Sequence, residues 1–210
     1  MAVQVQGAGG TVVEADATFK ASRASLRPNE AINWNSVFGA SGALTGVAAA
    51  GPVFSFRNTG ANPNLIRRIH ASYIVTTAFT MGQGLCFSAL KAIGFSASDT
   101  GGTALYTAGQ NKLRTSFTNI ASAPDIRIAT TAALTAGTRT LETVALGSIN
   151  GNAGSLGVNG GNLVYEFLPG DYPLTLAQNE GFIVTNDFAM GAAGVIRLVG
   201  GVTFAEVTAY

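Results

Sequence analysis

Along the chain, short runs of apolar or period-two residues rich in Val, Ile, Thr and Phe alternate with clusters of Gly, Asn, Ser and Pro, and helical periodicity is nearly absent. The pattern predicts an all-β protein, with strands near 11–19, 31–38, 52–58, 64–77, 84–95, 103–106, 112–118, 125–131, 138–146, 162–168, 172–177, 181–188 and 194–208. In the long run 64–77, Leu65, Ile69, Ala71, Tyr73 and Val75 share one face and Arg68, His70, Ser72 and Thr76 the other, as expected of a strand with one buried side. The last run sets Ile196, Leu198, Val202 and Phe204 against Arg197 and Thr203, and its Gly200-Gly201 pair predicts a bulge or a close backbone approach. Three segments read as longer loops: Gly39–Gly51, Ser96–Gly102 and Gly147–Gly161. All are small-residue-rich and almost uncharged, a composition that suits either packing against another surface or plain flexibility.

One strand and turn occur twice. "YIVTTAFTMG" at 73–82 and "FIVTNDFAMG" at 182–191 agree at six of ten positions, 109 residues apart, and each is followed by a second Gly and an apolar run. Strand, Met-Gly turn, strand predicts a β-hairpin in both places. The period is too long for a solenoid or propeller, which repeat at roughly 20–50 residues. Two related hairpins in a double-layered domain fit instead, so the expected fold is a jelly-roll-like β-sandwich over 31–210 with an extended N-terminal arm over 1–30.

Composition narrows the function. Charged residues make up 11% of the chain, less than half of the roughly 25% of ordinary soluble domains. A surface poor in Lys and Glu is typical of buried interfaces, which points to a protein packed against neighbours. The net charge is +1, and of the basic residues only Arg67 and Arg68 are adjacent. No concentrated basic stretch offers itself to nucleic acid. The single cysteine, Cys86, rules out an internal disulfide. The first residues show neither a basic n-region nor an apolar h-region, and no apolar run nears the ~18 residues of a membrane span. The expectation is synthesis in a cytoplasm, with no membrane partner.

Reactive groups are sparse. His70 and Cys86 are the only candidates for a Cys/His pair and are expected on adjacent strands, but no third group to orient the imidazole and no oxyanion site is visible. Glu14 and Asp16 share a strand face and Asp187 adjoins a turn, without the spacing of a metal-binding motif. The Gly-rich loops lack the Gly-Lys-Ser/Thr of a phosphate cradle. Trp34 with Phe38, or Phe54 with Phe56, could line a sugar groove, but they read as core. Glu166, Asp171 and Glu180 are isolated acids that only folding could bring into a glycosidase pair. The chain is therefore expected to be non-enzymatic, with no catalytic residue, cofactor or metal.

The segments "YPLTLAQNEGFIVTNDFAMGAAGVIRLVGGVTFAEVTAY", "SASDTGGTALYTAGQNKLRTSF" and "DIRIATTAALTAGTRTLE" carry a resemblance over about residues 50–210. In running texture they resemble virion structural proteins of tailed bacteriophages, in particular the jelly-roll type that decorates or cements the head shell. The resemblance implies a capsid-surface location, a homo-oligomer (dimer or trimer) and the major capsid protein as partner. It further implies that the arm and loops such as Gly39–Gly51 lie on the shell, with avidity multiplying weak single contacts. Arg23, Arg27, Arg67 and Arg68 are the expected anchors to carboxylates, because arginine offers a planar fork to that group. Met81 and Met190, at the tips of the repeat, are the expected apolar contacts. The alternative is a tail, fibre or baseplate component presenting loops to another virion protein or a host-surface glycan.

Overall fold

The structure, a computed structural model, describes residues 5–6, 12–16, 21–23, 32–153, 157–158, 164–167 and 172–207. It divides into two compact units, Met1–Ile32 and Asn33–Tyr210. The described residues of the first unit form a three-stranded antiparallel sheet of β1 (Val5–Gln6), β2 (Val12–Asp16) and β3 (Ala21–Arg23).

The second unit is a sandwich of two antiparallel sheets, with no helix among its described residues. Its strands are β4 (Asn35–Ala40), β5 (Gly51–Arg57), β6 (Asn64–Thr77), β7 (Gly84–Ile93), β8 (Thr103–Ala104), β9 (Asp125–Ile128), β10 (Thr140–Asn152), β11 (Gly157–Val158), β12 (Tyr165–Glu166), β13 (Leu174–Leu176), β14 (Gly181–Asn186) and β15 (Val195–Glu206). One sheet runs β10-β7-β14-β5-β9-β8. In the other, β11, β12 and β13 line one edge of β6, followed by β15 and β4. The fold class is therefore all-β, as alternation predicted, with two antiparallel sheets consistent with the expected sandwich.

Aromatic rings fill the space between the sheets. Phe182 stacks on Phe54 and Phe56, at 5.9 and 5.5 Å between centroids. Phe56 meets Phe204 of the opposite sheet edge-on at 5.2 Å, and Tyr73 crosses to Phe87 at 5.7 Å. Ile196, Leu198, Val202 and Phe204 all enter this core, as the β15 alternation requires. The Gly200-Gly201 pair is a close approach rather than a bulge. A Cβ on Gly200 would stand 2.8 Å from the Phe54 ring, and one on Gly201 would run into the Phe38 ring on the outer face.

Four expectations are corrected. First, the repeat does not make hairpins. β6 and β7 lie in different sheets, as do β14 and β15, so residues 78–83 and 187–194 carry the chain across the roughly 10 Å between layers. The copies interleave, β6 pairing with β15 and β14 with β7, so that β6 corresponds to β14 and β7 to β15 with the sheets exchanged. Second, the β6 register jumps from Thr203↔Arg68 to Phe204↔Ile66. The jump bulges Arg67 and reverses the alternation, so Ile66 joins the central core in place of Leu65. Third, 112–118 is not a strand. The Lys112 ammonium donates to the carbonyls of Thr115 and Phe117, at 3.5 and 2.7 Å, and holds the segment in turns. Fourth, β10 runs on to Asn152, through residues expected to be loop, paired as far as Asn152↔Gly84. Its Gly147 is a close-approach glycine, since a Cβ there would meet the Val164 carbonyl oxygen.

Candidate functional site

The β6–β7 and β14–β15 crossings end side by side, because β14 pairs with β7 and β15 with β6 in antiparallel register. The connection from β4 to β5 reaches the same end. Leu44 exchanges backbone hydrogen bonds with Ile196, and the Val47 carbonyl accepts the Met190 N–H at 2.8 Å. Leu44 and Val47 are buried, so this loop spends its large apolar side chains inward and leaves Ala48, Ala49 and Ala50 outside. Gln83 ties the two crossings together: its Oε1 accepts from the Gly191 N–H at 2.8 Å and its Nε2 donates to the Ala189 carbonyl at 3.3 Å. The Phe79 ring lies over Gly194, where a Cβ would collide with it.

Equivalent residues of the repeat meet opposite fates here. Phe79 is 6% exposed and its counterpart Phe188 is 60% exposed, while Met81 is 81% exposed and its counterpart Met190 is 6% exposed. Met81 therefore projects, whereas Met190 fills the core and offers no surface. Phe188, which the sequence did not single out, takes the exposed role. The only charge in the three loops is Asp187. Its Oδ2 accepts the Ser88 hydroxyl at 2.6 Å and the Cys86 thiol at 2.8 Å. Burial above all, then the hydrogen bond to Asp187 and its negative charge, push the Cys86 thiol up to about 11.

The arginines divide. In Arg23 the backbone pairs with Glu14 in β3–β2, and Arg27 lies outside the described residues. Arg68 forms an exposed ion pair with Glu166 at 3.0 Å, a surface pair of little energetic weight. Arg67 is exposed and lies over the Trp34 ring at 5.9 Å, at the other end of β6 from Met81. Within the second unit, Arg67 and Arg68 lie toward the opposite end of β6 from Met81, and Met190 is buried.

His70 and Cys86 are not on adjacent strands, since β6 and β7 belong to different sheets. Each points away from the core, on opposite outer faces of the sandwich. Burial, then the positive charge of Arg68, holds the His70 imidazole below its ordinary range. The Phe38 ring, over Gly201, reaches it at 5.6 Å. Trp34 is buried and Phe38 half-exposed, while Phe54 and Phe56 are core. Among the isolated acids, Glu166 is engaged by Arg68, Glu180 accepts the Ala177 N–H at 2.9 Å, and Asp171 lies outside the described residues. Among the described residues no three His, Cys, Asp or Glu cluster as metal ligands, and no helix is long and apolar enough to cross a membrane.

A buried charge cluster leaves no local signal in the sequence. Asp99 and Arg139 pair at 2.5 Å with side chains 0% and 5% exposed, and Asp99 also accepts the Gly137 N–H at 2.6 Å. Arg139 and Arg57 both lie over the Phe95 ring, at 5.7 and 5.6 Å. Arg57 donates to Ser98 and Asn179 as well, which fastens the Ser96–Gly102 loop to its own domain. No family model, curated protein or solved structure matches the chain.

Proposed function

We propose that this chain is a non-enzymatic virion structural protein of a tailed bacteriophage, a jelly-roll-like capsid decoration or cement protein that binds and stabilises the head shell. The observation that carries the reading is the loop-built end of the sandwich, where Met81 and Phe188 stand out from loops with one charged residue, itself engaged by Ser88 and Cys86. Exposed apolar side chains on a surface so poor in charge suit contact with another protein, whose interface cores are depleted of charge. The low charge of the whole chain and the resemblance of residues 50–210 to phage particle proteins support the same reading. Its partners are the major capsid protein and copies of itself, and many weak contacts act together on a shell of repeated subunits.

The test mixes purified protein with undecorated phage heads and, separately, with host cells, and counts bound copies per head. Saturable binding that makes heads resist heat is the expected result. Absence of head binding together with binding to cells or tails overturns it and favours a tail, fibre or baseplate role.

A further inference from the structure

In the second unit, every sheet edge but one is short or covered by described residues. β8 ends one sheet with only 2 residues. In the other sheet, the short strands β11, β12 and β13 line β6, and residues 111–113 close the far side of β4. There the Ser36 N–H donates to the Asn111 carbonyl and the Leu113 N–H to the Trp34 carbonyl, both at 2.8 Å. The exception is β10, a strand of 13 residues with no described strand on its outer side. Register shifts between Leu141 and Gly147 blunt its first part, and regular pairing with β7 runs from Gly147 to Asn152. From Thr143 to Asn152 it has neither a charge nor a proline, the usual guards of an open edge.

Two hydrogen bonds fix which groups face outward. The Ala153 N–H donates to the Gln83 carbonyl at 2.8 Å, so along the regular stretch the odd-numbered residues turn their main chain toward β7. The Cys86 carbonyl accepts the Asp187 N–H at 2.8 Å on the β14 side, so Asn150, opposite Cys86, turns away from β7. The N–H and C=O of Ser148 and Asn150 therefore point out of the sheet edge, and both residues are exposed. Main-chain donors and acceptors at strand spacing are matched by another strand, and this segment matches itself. A two-fold axis at Ile149 sets two copies of β10 antiparallel, with Ser148 of each opposite Asn150 of the other. Outward groups then meet outward groups, and each pair exchanges both of its main-chain hydrogen bonds. The Ser148 hydroxyl and the Asn150 amide of the other copy lie side by side on one face, within reach of a hydrogen bond. No charge meets its own copy along the paired stretch.

We propose that two copies of the chain pair through β10 in this register, joining their 6-stranded sheets across a two-fold axis. The pairing leaves the loop-built end to the shell. It names where copies of the assembly protein proposed above meet, and rests on that reading only for its biological use.

Sedimentation equilibrium of the full chain between about 1 and 100 µM, a range suited to modest affinities, tests it. Dimerisation is expected. Ser148→Pro removes an outward N–H from both copies, leaves the bonds to β7 in place, and weakens the dimer at least ~10-fold. Ser148→Asp combined with Asn150→Asp sets like charges opposite one another and has the same effect. An equimolar mixture of that protein with one carrying Ser148→Lys and Asn150→Lys restores the dimer that neither forms alone, as the register requires. Met81→Asp, on the loop-built end, leaves dimerisation unchanged. Near-UV circular dichroism checks that the variants keep their fold. A wild-type monomer throughout the range, a dimer indifferent to the proline and aspartate variants, a dimer lost in Met81→Asp, or assembly that grows past the dimer overturns the proposal. A monomer that still saturates phage heads sinks the dimer alone. A dimer sensitive to the β10 variants that ignores heads and cells sinks the assembly reading alone.

Discussion

Truncating the four equivalent tip residues of the repeat separates what the two copies share in sequence from what they do in the fold. Phe79 and Met190 are each 6% exposed, against 60% for Phe188 and 81% for Met81. Burial predicts that Phe79→Ala costs about 3 kcal/mol, the low end of the range for Phe truncation because the site lies at the margin of the core. Met190→Ala costs about 2–3 kcal/mol on the same grounds. Phe188→Ala and Met81→Ala stay within about 0.5 kcal/mol, the usual scale for surface substitutions. In a domain of this size the Phe79 loss lowers Tm by about 6–12 °C. The assay is urea denaturation of the four variants at about 1 µM or less, where self-association adds little stability, with the midpoint shift read at constant m-value. Equal losses at Phe79 and Phe188, or a larger loss at Met81 than at Met190, would refute the inverted burial.

Two further outcomes follow from the buried polar groups. Arg139→Met leaves the fully buried Asp99 carboxylate with only a backbone donor and is expected to cost about 3–5 kcal/mol. The double variant with Asp99→Asn loses less, and a double variant less stable than the single in urea would count against the pair. Cys86, with its thiol at about 11 against an ordinary 9.0, is held neutral by the fold. Its contribution to stability is present below about pH 9 and is lost as pH rises from there through about 11. Alkylation by iodoacetamide therefore stays slow at neutral pH, accelerates only toward pH 11, and shifts to lower pH in Asp187→Asn. A wild-type inflection at 9.0 would remove the role given to Asp187 and burial.

Much of the fold was legible because alternation is a property of a single strand. The run 64–77 coincides with β6, and the core face of β15 reads directly from Ile196, Leu198, Val202 and Phe204. Of the loop-built end, Met81 and Met190 were visible as members of a repeat, but Phe188 was not, and nothing local distinguished the Met that projects from the Met that is buried. The Asp99–Arg139 pair joins loops 40 residues apart and left no local signal.

The sequence alone determined an all-β chain of low charge, the approximate extents of its longer strands, and the presence of a duplicated strand and turn. Only the tertiary structure decided that the duplicate crosses between sheets instead of folding back as hairpins, that the bulge at Arg67 brings Ile66 into the central cluster and leaves the buried Leu65 outside it, and that glycine-rich residues 147–152 continue a strand. The reason is physical. Alternation says which side of a strand is apolar, but its neighbour, its register and the sheet it joins depend on hydrogen bonds and ring packing between residues as distant as Tyr73 and Leu198, which no local pattern records.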